Sequence, residues 1–192
     1  MNSNFSFIDD ELKQIREFAQ KAELRGRLDT RYACFQARLT AETALKWLFK
    51  VDSELSLPYN TMLSSLINDT GFQKIAPIQV KRSLTIIQKY GNLAAHSEHA
   101  ISAQDSVLVV KQLHSVLFWL HRTYFDVDLQ SEFNDKFVPD AGDIARTSRN
   151  KILELEQKHE DEEKKLREAL EAEKADKEAY KTKLAAQEAE IA

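Results

Sequence analysis

The stretch Gln88-Lys89-Tyr90-Gly91-Asn92-Leu93-Ala94-Ala95-His96 joins the two most regularly apolar parts of the chain. Ile78–Ile87 precedes it and Ile101–Phe125 follows it, and both carry apolar residues at helical spacing. Glycine followed by asparagine is typical of a helix end, because both residues tolerate positive φ. The three residues after Asn92 favour a helix again, so we predict a helix that continues through the glycine or is briefly interrupted there.

If this stretch is helical, Asn92 and His96 lie four residues apart on one face. Spacing alone favours a contact between helices, with Asn and His hydrogen-bonded and Gly91 letting another backbone come close. The alternative is a polar site inherited from a family that did chemistry there. Arg38 lies on an earlier helix and has two possible partners. It either pairs with Glu42, four residues on, or reaches across to Asn92 and His96.

Periodicity elsewhere predicts an all-α fold, namely a compact bundle of about five helices followed by a long charged C-terminal helix. The second helix is apolar on more than one face, which is typical of a central helix. Residues 126–143 should form an extended strap that lays its apolar residues on the bundle. The helices are predicted from Asp9 to about Gly26, from Asp29 or Thr30 to about Lys50, briefly around Met62–Ile67 with a stop at Asn68-Asp69-Thr70-Gly71, from Pro77 to His96, and from Ser102 to Phe125.

Charge is unevenly distributed along the chain. It has 27 Lys and Arg against 31 Asp and Glu, and 9 and 13 of these lie in 151–192. The remainder is neutral, which gives no electrostatic case for tight nonspecific binding of nucleic acid. One local basic cluster is either a phosphate contact or a solvated turn, and it consists of Lys21, Arg25, Arg27 and Arg31.

The residue types of the chain argue against a disulfide, a zinc site, a membrane span and a signal peptide. Cys34 is the only cysteine, which excludes an internal disulfide and a Cys-based zinc site. No apolar run approaches the roughly 20 residues of a membrane span, and the N-terminus lacks the features of a signal peptide. A cytoplasmic protein without a cofactor of its own is expected. The histidines do not have the spacing of a zinc site, so no metal is expected at His96, His99, His114 or His121.

The composition of residues 141–192 predicts that they form a separate charged helical arm. Of the 42 residues from Lys151 on, 22 are charged, which is too many for a tight coiled coil. Opposite charges at helical spacing instead favour a solvated helix, or weak self-association. The final residues carry no helix stop, so we expect the helix to continue in a longer chain. Self-association would use Leu166, Leu170, Tyr180 and Leu184.

A family resemblance rests on several short motifs in a fixed order. Gly91-Asn92 with His96, ahead of a long helix containing Trp119, resembles the N-terminal helical domain of the R subunit of type I restriction enzymes. The resemblance covers residues 3–140, and the domain is similar to the HEPN superfamily of small helical bundles, some of which are ribonucleases. The other matching pieces are Asn4–Ile8, Asp29, Arg38 with Glu42, Phe118–Phe125 and Phe137-Val138-Pro139.

The resemblance implies a non-catalytic interaction or scaffold module. The full-length R subunit would be an ATP-dependent DNA translocase and endonuclease that uses ATP and Mg²⁺ and works with methyltransferase and specificity subunits on DNA. One alternative is a HEPN-type ribonuclease centred on Asn92 and His96. Such ribonucleases carry an Arg shortly before the His, whereas Gly91 stands beside the Asn here, which argues against cleavage. Another alternative is a stand-alone helical dimerisation protein.

Overall fold

A computed structural model describes residues 2–125, 130–143, 145–147, 149–155, 157–158, 161–162 and 164–165. Among these residues every regular element is a helix, which confirms the all-α prediction. Residues 2–125 contain six α-helices, namely α1 (Lys13–Arg25), α2 (Thr30–Val51), α3 (Leu63–Ile67), α4 (Thr70–Ile75), α5 (Ile78–His96) and α6 (Ala103–Tyr124). Short 3-10 helices cover Asp10–Leu12 and Asp135–Phe137.

The bundle is built around α2, which packs against α1, α5, α6 and the short α3. Small residues recur along the buried side of α2, so the neighbouring helices approach it closely; they are Ala33, Ala37, Ala41 and Ala44. Larger buried side chains from all the helices fill the remaining space, including Leu48, Leu84 and Leu117. The prediction of a central second helix is therefore confirmed.

The stretch Gln88–His96 belongs to one uninterrupted helix, because α5 runs through Gly91 and ends at His96. Gly91 is buried against α2. A Cβ at Gly91 would lie 2.5 Å from the Cβ of Arg38 and 2.7 Å from its Cδ. The glycine therefore makes room for an arginine stem, and its conformational freedom is not needed.

Local capping signals place two helix starts where they were predicted. Asp29 accepts a hydrogen bond from the Tyr32 amide at 3.0 Å and begins α2. Ser102 accepts one from the Asp105 amide at 3.0 Å and donates to its carboxylate at 2.7 Å.

The predicted stop of the third helix at residues 68–71 is confirmed, because α3 ends at Ile67, but a further helix that was not predicted begins inside this stretch. Asp69 accepts a hydrogen bond from the Phe72 amide at 2.9 Å and caps α4. The Phe72 side chain is fully buried and anchors this short helix to the core. The same Asn-Asp-Thr-Gly composition that ends α3 therefore also starts α4.

The strap lies on the bundle as predicted, in its described part. Val138 is fully buried, and a Cβ on Gly26 would approach its Cγ1 to 2.7 Å. The Asn134 amide donates to the Asn4 carbonyl oxygen Oδ1 at 2.6 Å, and Asn4 Nδ2 donates back to the Asn134 carbonyl at 3.0 Å. Asn4 Nδ2 also donates to buried Glu23 at 2.6 Å, so the N-terminus, α1 and the strap are joined by one polar cluster.

The chain divides into two compact units, Met1–Gly142 and Asp143–Ala192. Described residues of the second unit from Ala145 to Lys165 are helical and exposed. The residues considered for self-association, Leu166, Leu170, Tyr180 and Leu184, lie outside the described residues. Within the described part of the chain, no helix has the length and apolar character needed to cross a membrane.

Candidate functional site

Asn92 and His96 are both exposed on α5, and neither side chain is hydrogen-bonded to a described residue. The expected hydrogen-bonded contact between helices is therefore wrong. The physical reason is helix rotation: Gly91 faces α2, and at about 100° per residue Asn92 and His96 lie roughly 100° and 140° away from it. The pair does share a side of α5, at its C-terminal end.

Both proposed partners of Arg38 are also wrong. Glu42 Oε1 accepts a hydrogen bond from Lys46 Nζ at 2.6 Å, and its Oε2 accepts one from the Leu63 amide at 3.3 Å. A glutamate four residues before a lysine is the better helical orientation, so Glu42 pairs forward with Lys46 rather than back with Arg38. Arg38 instead lays its aliphatic stem on Gly91, is half-buried, and pairs with no carboxylate among the described residues.

The predicted basic cluster separates into two structural arginines and two exposed cations. Arg31 Nη1 donates to the carbonyls of Ser97 at 2.7 Å and Ala94 at 3.3 Å, where it caps the C-terminal end of α5. Arg27 Nη1 donates to two strap carbonyls, Asp135 at 3.0 Å and Val138. Lys21 and Arg25 remain exposed on α1.

Exposed apolar side chains stand beside these cations. A groove of about 390 Å³ between α1 and α2 is lined by Lys21, Leu24, Arg25, Asp29 and Tyr32. On α2, Tyr32 begins a stripe that continues with Phe35 and Leu39, at the spacing i, i+3 and i+7 of one helix face. Leu24, Tyr32, Phe35 and Leu39 are 39%, 40%, 46% and 38% exposed, respectively.

We call this surface the α1–α2 face; it consists of Lys21, Leu24, Arg25, Tyr32, Phe35, Arg38 and Leu39. Sequence reasoning missed it as a site, although it noted that α2 is apolar on more than one face. That pattern was the signal that could have found this face. Because α2 carries more apolar surface than the neighbouring helices cover, the remaining apolar side chains stay exposed. The face brings together Lys21, Arg25 and Arg38 from the predicted set and leaves Arg27 and Arg31 in structural roles.

A second candidate is the pair His114 and Ser131, whose Nε2 and Oγ atoms are 3.1 Å apart. His114 is buried among aromatic rings, with Phe7 at 5.4 Å and Phe133 at 5.7 Å between centroids. Burial lowers the pKa of His114 to about 4. Such a weakly basic imidazole is a poor general base for a serine, so we interpret the pair as a tie between α6 and the strap.

The same burial makes His114 a source of acid sensitivity. Its pKa is lower in the folded chain than the ordinary value of 6.5, so protonation favours unfolding. The stability it contributes is present above pH 6.5 and is lost as the pH falls toward 4. The difference between these two values corresponds to about 3 kcal/mol.

Two further side chains that could carry chemistry, those of His121 and Cys34, are buried in the bundle. His121 is buried, with Nε2 2.9 Å from the Asp9 carboxylate and its ring stacked on Phe125 at 4.6 Å. Burial raises the pKa of the Cys34 thiol to about 11, so little reactive thiolate forms at neutral pH.

Among the described residues, no three or more His, Cys, Asp and Glu side chains are grouped so as to hold a metal ion.

Comparison of the chain with protein-family models, with curated proteins and with solved structures finds no match. The α1–α2 face is therefore interpreted from its own chemistry.

Proposed function

We propose that this chain is the non-catalytic N-terminal interaction module of a type I restriction R subunit, and that it binds through the α1–α2 face. The ordered motifs from Asn4–Ile8 to Phe137-Val138-Pro139 support the family. The all-helical bundle is compatible with it. In this proposal the partners are the methyltransferase and specificity subunits together with DNA, in the cytoplasm. ATP and Mg²⁺ would act in other domains of the full subunit.

The observation that carries the binding role is the exposed stripe of Tyr32, Phe35 and Leu39, with Leu24 beside it. Single exposed apolar residues are ordinary on a protein surface, whereas adjacent large ones mark interaction sites. Aromatic residues and arginine are the types that dominate binding energy at protein interfaces, and the face carries Tyr32, Phe35 and Arg38. Burial of these side chains by a partner would remove apolar surface from water.

Residues 141–192 are proposed to be a long charged helical arm that leads toward further domains. The described residues from Ala145 to Lys165 are helical and exposed, as such an arm requires. Their stability as a solvated helix would come from pairs of opposite charge rather than from a buried apolar face.

The ribonuclease alternative has one observation in its favour. The stem of Arg38 lies on Gly91, directly before Asn92, so α2 brings a cation to the helix that carries Asn92 and His96. Incubation with labelled single-stranded RNA and duplex DNA, with and without Mg²⁺, separates the two functions. We expect no cleavage, and cleavage that is abolished by His96→Ala would establish the ribonuclease.

Equilibrium binding to the reconstituted methyltransferase and specificity subunits tests the proposed function. We expect the wild-type chain to bind and Phe35→Asp to weaken binding at least 10-fold, because it places a charge in the apolar stripe. Leu108→Asp is the matched control, since Leu108 is 40% exposed on α6, outside the face. Equal binding by the wild type and Phe35→Asp, or no binding by the wild type, would contradict the proposal.

A further inference from the structure

We infer that the element bound by the α1–α2 face is an amphipathic α-helix with acidic residues on both flanks of its apolar side. The inference rests on the proposed function in that it takes the face to be an interface.

The length of the apolar surface fits a short helix. Tyr32 and Leu39 at the two ends of the stripe are seven positions apart on α2, which is roughly 10 Å or two helical turns. Helices that bind in grooves present anchors at i, i+3 or i+4, and i+7, which cover the same length. The groove of about 390 Å³ beside Leu24 and Tyr32 gives one such anchor a recess at the α1 edge of the stripe.

The charges lie on both sides of that surface. Lys21 and Arg25 flank the stripe from α1, and Arg38 flanks it at the edge where α2 meets Gly91 of α5. None of these three cations forms an ion pair with a described residue. A partner with an apolar centre and carboxylates along both edges is complementary to this arrangement.

Three acidic side chains lie near these cations: Glu17, Asp29 and Glu42. Glu17 lines a shallow groove on α1 with Lys21 and Leu24, but it does not line the groove that contains Arg25 and Tyr32. Asp29 accepts the Tyr32 amide hydrogen bond and is committed to capping α2. The carboxylate of Glu42 is paired with Lys46 at 2.6 Å. The α1–α2 face therefore carries three cations, and Asp29 and Glu17 at its α1 edge are the two nearby carboxylates that have no cationic partner among the described residues.

A helix suits the face better than a single-stranded nucleic acid does. Of the four apolar side chains of the face, Tyr32 and Phe35 offer a ring on which a base could stack, whereas Leu24 and Leu39 do not. Arg27 and Arg31, which would extend a track for phosphates, donate to main-chain carbonyls instead. Residues 1–150, which contain the face, carry 18 Lys and Arg against 18 Asp and Glu, so they offer no net long-range attraction to a polyanion.

Selection from a displayed library tests the inference with the full chain as target. The library consists of amphipathic helices of about five turns, randomised at the anchor and flanking positions. We expect enriched peptides to carry Asp or Glu on both flanks and to bind at least 10-fold more weakly to Phe35→Asp and to the double variant Lys21→Glu with Arg25→Glu. Leu108→Asp should bind them like the wild type, and circular dichroism verifies that each variant is folded.

A reciprocal test exchanges the charges of the peptide and of the face. Peptides with Lys in place of the flanking acids should bind weakly to the wild type and more tightly to the double variant Lys21→Glu with Arg25→Glu. Enrichment of neutral or basic flanks, failure to enrich any helix, or tight binding of a 15-residue oligothymidylate that is lost in Phe35→Asp would each overturn the inference.

The outcomes separate this inference from the proposed function. If Phe35→Asp abolishes binding to the methyltransferase and specificity subunits while no acidic helix is selected, only the inference fails. If acidic helices are selected but Phe35→Asp leaves that binding unchanged, the inference about the face stands and the proposed function fails.

Discussion

Replacement of Gly91 by alanine tests how α2 and α5 are held together. The new methyl group would lie 2.5 Å from the Cβ of Arg38, closer than two carbon atoms can approach without repulsion. That atom is fixed to the α2 backbone, so no change of rotamer moves it away. The two helices must separate, or one of them must rotate.

Two effects of known size oppose each other in this variant. Alanine is better than glycine inside a helix by about 1 kcal/mol. Overpacking of a well-packed contact typically costs about 1–3 kcal/mol. The cost should lie at the upper end here, because α5 packs against α2 at Gly91 and the obstructing atom is rigid. We therefore expect Gly91→Ala to lower the free energy of unfolding by about 1–2 kcal/mol.

Urea denaturation followed by circular dichroism measures this change. Arg38→Ala keeps the obstructing Cβ and should leave the loss in place, whereas Arg38→Gly removes the Cβ and should abolish it in a double-mutant cycle. A Gly91→Ala protein as stable as the wild type, or more stable, would refute the close packing of Gly91 on Arg38.

Three further outcomes are expected. Because His96 is exposed and unbonded among the described residues, His96→Ala should change the free energy of unfolding by less than about 0.5 kcal/mol in the same denaturation assay. Because burial lowers the pKa of His114 to about 4, the wild type should lose up to about 1.4 kcal/mol per pH unit between pH 6.5 and 4 relative to His114→Gln, and equal slopes of stability against pH would disprove this. A chain that ends at Asn150 should keep its melting temperature within a few degrees, since Met1–Gly142 is a compact unit by itself, and aggregation of the shorter chain would show that the arm packs on the bundle.

The helices and their caps were predictable because their signals are local. Asp29 and Ser102 each bond an amide three residues away, so neighbouring residues contain all the information. The continuation of α5 beyond Gly91 followed from the helix-forming residues after it. The start of α4 at Asp69 was not predicted, because the same local signal can end one helix and start the next.

The hydrogen-bond and ion-pair partners of individual side chains were not predictable. They depend on how each helix is rotated and on which of several candidate partners a side chain takes. Glu42 had Arg38 and Lys46 at equal spacing, and only the folded chain shows that Lys46 takes it. Asn92 and His96 point away from α2 because Gly91 occupies the contact. That contact involves residues 53 positions apart in the sequence, beyond the reach of periodicity.

The exposed face was unpredictable for a related reason. Periodicity identified α2 as apolar on several sides, yet it could not say which side the other helices leave open. α1, α5 and α6 cover the alanine-rich side, so Tyr32, Phe35 and Leu39 remain outside.

The central claim is that a partner covers these exposed side chains, and hydroxyl-radical footprinting measures that coverage directly. The chain would be oxidised alone and in complex with the methyltransferase and specificity subunits, with Tyr59, which is fully exposed, and Leu108 on α6 as internal controls. We expect oxidation of Tyr32 and Phe35 to fall several-fold in the complex while the two controls stay unchanged. Unchanged oxidation of Tyr32 and Phe35 in a fully formed complex would contradict the claim.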